Sequence, residues 1–92
     1  MNIDQITMEN AEEWHVCGVV IQGRPEKLTK ISEKLLDVPH TEIHGSDPVL
    51  GKLVVVMQSH NQRILLENME NARNIDGVIN VSLVYHQQDL TD

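Results

Sequence analysis

The chain has 92 residues, of which 40% are apolar and 23% charged, a size and composition that suit one compact domain and not two. No run approaches the ~18 consecutive apolar residues of a membrane span, and a single cysteine, Cys17, excludes an internal disulfide or a site built on a cysteine pair. The formal charge is −7, but four acids fall in residues 1–13 and two in residues 89–92, so between Trp14 and Gln88 eight acids meet seven bases. The body is nearly neutral. Without a basic stripe for phosphates, nucleic acid is not an expected partner. Residues 1–13 hold no Lys or Arg and no apolar stretch, so they do not read as a secretory signal, and the cytoplasm is the expected address.

In chain order, residues 1–13 lack periodicity and read as a flexible acidic leader. Trp14 to Gln22 is nearly continuous in apolar character, as a central strand should be. Gly23-Arg24-Pro25 ends it, and Pro25 suits the first turn of a helix over 25–37, with Leu28, Ile31 and Leu35 on its inner face. Pro39 closes that helix, and the polar stretch 40–45 around Ile43 fits an edge strand. Asp47-Pro48 and Gly51 supply turn chemistry before a second buried strand, Lys52 to Gln58. Ser59 and Gln62 have capping-box spacing, and Leu65, Met69 and Ala72 then line a second helix. Asp76-Gly77 breaks it. Val78 to His86 forms the last strand, and residues 89–92 are a polar tail behind a folded body of residues 14–88.

The order β-α-β-β-α-β, joined by right-handed crossovers, predicts an α+β fold of the ferredoxin-like split βαβ type. Its four-stranded antiparallel sheet has strand order 4-1-3-2 and carries both helices on one face. The other face then lacks cover from the helices, and strand alternation sorts the side chains between the two. Cys17, Val19, Ile21, Leu53, Val55, Met57, Val81, Leu83 and Tyr85 are expected to face the helices. The open face is expected to hold Val16, Gly18, Val20, Gln22, Val54, Val56, Gln58, Asn80, Ser82, Val84 and His86. These form an apolar valine stripe with Gly18 as a dip and polar groups around it, the pattern of a binding surface. Sheet-to-sheet pairing in a weak homodimer, or cover by residues 1–13, are the competing readings of the same stripe.

Catalytic chemistry is thin. His40 and His44 are four positions apart on a strand, ~13 Å, too far to share one ion. No metal or cofactor is expected. Cys17 reads as a small buried hydrophobe and Trp14 as a lid on the core. Gln22-Gly23-Arg24 before a helix resembles the anion cradle of acylphosphatases, but Pro25 removes one donor such a cradle needs. No nucleophile stands beside a base, so an enzyme is not expected. An acylphosphatase-like hydrolase using that loop and a small-ligand regulatory module are the alternatives.

Trp14-His15-Val16-Cys17, Val-Val-Ile-Gln at 19–22, Leu53-Val54-Val55-Val56, and Ile75-Asp76-Gly77-Val78 leading to Ser82-Leu83-Val84-Tyr85-His86-Gln87-Gln88 together resemble the NapD family. The likeness covers roughly residues 14–88, and its last segment is the most distinctive. Members of that family are small cytoplasmic assembly chaperones for periplasmic nitrate reductase. The resemblance implies binding of the twin-arginine signal peptide of the catalytic subunit NapA, delaying export until its cofactor is inserted. The open-face residues are the expected peptide contacts, with Gln22, Gln58, Asn80, Ser82 and Glu42 as candidate acceptors for the arginines.

Overall fold

A computed structural model of the chain describes residues 13–90, so the expectations for residues 1–12 and 91–92 lie outside the described residues. Strand β1 spans Glu13–Gly23, a 3-10 turn covers Pro25–Lys27, and helix α1 is Leu28–Leu36. Strands β2 and β3 are Thr41–Asp47 and Lys52–Ser59, helix α2 is Gln62–Arg73, and strand β4 is Val78–Leu90. Glu13 therefore belongs to the first strand, and the last strand runs on through residues 89–90.

The helix expected over 25–37 divides in two. Pro25 opens a tighter turn closed by the Lys27 N–H on the Arg24 carbonyl at 2.9 Å, and α-helical bonding starts only at Leu28. Helix α2 starts later than its capping-box spacing suggests. Ser59 stays in β3, buried, while Asn61 is the cap: its side-chain oxygen accepts from the N–H groups of Arg63 at 2.8 Å and Ile64 at 3.2 Å. Replacing Asn61 with Ala should cost about 1 kcal/mol. A lower urea midpoint with an unchanged slope is the expected signature.

The sheet order is β2-β3-β1-β4, and every adjacent pair is antiparallel. The core lies between one sheet face and the helices. Cys17, Val19, Ile21, Leu53, Val55, Met57 and Val81 from the sheet meet Leu28, Ile31, Leu35, Leu65 and Ala72 from α1 and α2.

The expected alternation holds through β1 and β3 and breaks in β4. Leu83 pairs with Val19, but Gly18 pairs with Tyr85, so Val84 is an extra residue without a partner on β1. A bulge of this kind sets two residues against one and inverts the faces beyond it. Tyr85, expected toward the helices, therefore lies on the open face with Gly18. His86, expected on the open face, pairs with Cys17 and turns to the helix side. Register also shifts in β4 at Ile79, between the pairs Gln22–Asn80 and Gly23–Val78, and in β2 between Ile43 and Gly45, at His44.

Candidate functional site

The open face is built from rows running across the sheet. Glu42, Val56, Gly18 and Tyr85 make one row; Gly45, Val54, Val20 and Ser82 make the next. Beyond the second row lie Asp47, Lys52, Gln22 and Asn80, and beyond the first lie Gln58, Val16 and Gln87. The valines therefore occupy the middle of the face on the two central strands, and polar side chains occupy its ends and edges. Val54 is 48% exposed and the bulge residue Val84 64%, while Val16, Val20 and Val56 are half-buried. Of the expected open-face residues, all but His86 lie on or beside this surface.

Gly18 is not an empty dip. A Cβ built there would collide with Cε1 of Tyr85 and stand 2.7 Å from its Cδ1, so the tyrosine ring covers the glycine. Tyr85 joins the site as a half-exposed aromatic surface that strand alternation alone does not reveal. Trp14 also belongs to this side, being in step with Val16. Its indole Nε1 donates to Gln58 Oε1 at 2.7 Å, and its ring meets His40 edge-on at 5.3 Å. It is buried but stands apart from the helix-side core, closing one end of the valine stripe.

The polar rim is partly engaged with itself. Gln22 Nε2 donates to the Leu50 carbonyl at 2.7 Å, tying β1 to the β2–β3 turn, and Asn80 Nδ2 donates to Ser82 Oγ at 2.9 Å. On the helix side, His86 stacks on buried His15 with ring nitrogens 3.1 Å apart, and the other His15 nitrogen meets Glu13 Oε1 at 3.0 Å. Burial pushes the Cys17 thiol up, and a hydrogen bond with the Met57 backbone offsets this in part. Among the described residues, no three His, Cys, Asp or Glu side chains group as ligands for one metal ion.

The loop after β1 is spoken for as well. The Gly23 N–H donates to the Gly51 carbonyl at 2.7 Å and the Arg24 N–H to the Gly77 carbonyl at 2.9 Å. These amides pin the loop to two neighbouring turns, so they are not aimed at an anion. The chain is thus a split βαβ domain whose sheet presents an apolar, polar-rimmed face on the side away from both helices. No helix among the described residues is long and apolar enough to cross a membrane.

Residues 14–90 match the profile of the NapD protein family, and the chain belongs to that family. It is 57% identical over 89 residues to a Haemophilus influenzae protein named chaperone NapD, covering 97% of this chain and 96% of that one. It is 41% identical over 76 residues to the chaperone NapD of Escherichia coli K12, covering 83% of this chain and 87% of that one. The solution structure of the E. coli Tat proofreading chaperone protein NapD superposes with a TM-score of 0.75, covering 83% of this chain and 80% of that one.

Proposed function

We propose that this protein is a cytoplasmic chaperone that holds the twin-arginine signal peptide of the nitrate reductase catalytic subunit NapA. Holding it delays export until that subunit has received its cofactor and folded. The supporting observation is the valine stripe of β1 and β3 on the sheet face away from the helices, bounded by polar groups. A signal peptide offers a moderately apolar segment beside paired arginines. Its apolar side would lie on Val16, Val20, Val54 and Val56, with the Tyr85 ring extending the surface. Covering such a stripe yields several kcal/mol at ~25 cal/mol per Å² of apolar area, offset by the ordering of a flexible peptide.

Strand addition at an edge is the other mode by which a peptide can join a sheet. The bulges at His44 in β2 and Val84 in β4 fall on the two edge strands. Bulged edges twist away from a continuous backbone ladder, which favours the face. The hydrolase alternative loses its anion cradle to the Gly51 and Gly77 carbonyls.

Titrating labelled protein with the NapA signal peptide, and with a copy whose paired arginines are lysines, tests the proposal. The native peptide should bind and the lysine copy should bind more weakly. No binding of the native peptide would remove the proposal.

A further inference from the structure

We propose that Glu42 is the residue that recognises an arginine of the bound peptide, an inference that rests on the reading above. By strand register the open face carries Glu42 and Asp47 beside the valine stripe, and Asp89 at its far end, opposite Trp14. Asp47 Oδ1 already accepts the backbone N–H groups of Val49 and Leu50, each at 3.1 Å, and its cross-strand partner is Lys52. A guanidinium arriving there would meet an ammonium. Glu42 faces Val56 and not a lysine across the ladder. Its side chain is 64% exposed, and His44 Nε2 meets only its Oε2, at 3.0 Å, so Oε1 accepts no hydrogen bond among the described residues. Its row continues through Val56 and Gly18 to Tyr85 with no basic side chain.

The neutral acceptors are less suited. Gln58 Oε1 is taken by the Trp14 indole, Ser82 Oγ by Asn80, and Gln22 stands directly opposite Lys52. A carboxylate also matches the two parallel N–H groups of a guanidinium, which a lysine ammonium cannot present. Glu42 thus sits beside the valine stripe, where the arginine next to an apolar segment would arrive. Once the peptide covers Val56, the pair is shielded from water on one side and strengthened.

The test is calorimetric titration of wild type, Glu42→Gln and Asp47→Asn with the native signal peptide and with peptides carrying glutamine in place of each arginine in turn. Circular dichroism of the variants confirms that each is folded before titration. Glu42→Gln should weaken the native peptide about tenfold or more, the usual range for losing a charged hydrogen-bond partner. Asp47→Asn should bind as wild type does. One arginine-substituted peptide should bind wild type and Glu42→Gln equally, because the partner is already gone. If Glu42→Gln binds the native peptide normally, or both arginine substitutions cost as much in Glu42→Gln as in wild type, the assignment of Glu42 is overturned while peptide binding on the face stands. A wild type that binds no peptide overturns both.

Discussion

Val20→Glu is expected to leave the domain folded and to abolish signal-peptide binding, while Val55→Glu is expected to unfold it. The two positions lie on the same pair of central strands, but on opposite faces. Val20 pairs with Val54 and Ser82 on the open side and is half-buried, so a carboxylate there reaches water in the uncomplexed protein. Under the peptide the same carboxylate would be covered without a partner, at a cost of about 3 kcal/mol or more and hence a hundredfold or greater loss of affinity. Val55 is fully buried in the core between sheet and helices. An unpaired charge there removes several kcal/mol from a total stability of only about 5–15 kcal/mol. Val56→Glu should behave as Val20→Glu does, with a further modest loss of stability, because its cross-strand neighbour is Glu42 and like charges facing across a ladder repel. Circular dichroism and peptide titration on the three variants decide the matter. Normal binding by folded Val20→Glu would move the peptide off the face, to an edge strand.

The central strands were legible because their residues obey one rule throughout. From Val16 to Gln22 and from Lys52 to Gln58 the apolar pattern, the two-residue period and the pairing register agree, and the valine stripe follows directly. The edges were not legible, for a specific reason. Val84 lies between Leu83 and Tyr85, and nothing in Leu-Val-Tyr-His distinguishes a regular strand from one with an extra residue. One unpaired position was enough to exchange Tyr85 for His86 on the open face. Trp14 is the opposite case: its parity with Val16 was available from alternation and already points to the open side, where its indole holds Gln58. The helix-2 cap was obscured because Ser59 and Asn61 are both good caps. The strand β3 claims Ser59 for its last pairing with His15, which leaves Asn61 to start the helix.

The placement of Tyr85 over Gly18 makes the stability effect of Gly18→Ala change sign with the residue at position 85. In the wild-type background the new methyl group would collide with the tyrosine ring, lying against Cε1, Cδ1 and Cζ. The ring must leave its seat on the strand, and overpacking of this sort costs about 1–3 kcal/mol. The three nearest atoms all belong to that ring, and a Tyr85→Ala background removes them. Glycine inside a strand is itself costly, by roughly 0.5–1 kcal/mol relative to alanine, so Gly18→Ala should then stabilise the domain. Urea unfolding of the four combinations gives the coupling directly. An equal cost of Gly18→Ala in both backgrounds would mean that Tyr85 does not lie over Gly18. Strand β4 would then run without its bulge, with His86 on the open face. The same four proteins report on the site, because displacing the ring by Gly18→Ala and deleting it by Tyr85→Ala both remove the aromatic end of the row that begins at Glu42. Both changes should weaken the signal peptide to a similar degree, even though one adds a methyl group to the face and the other removes a ring.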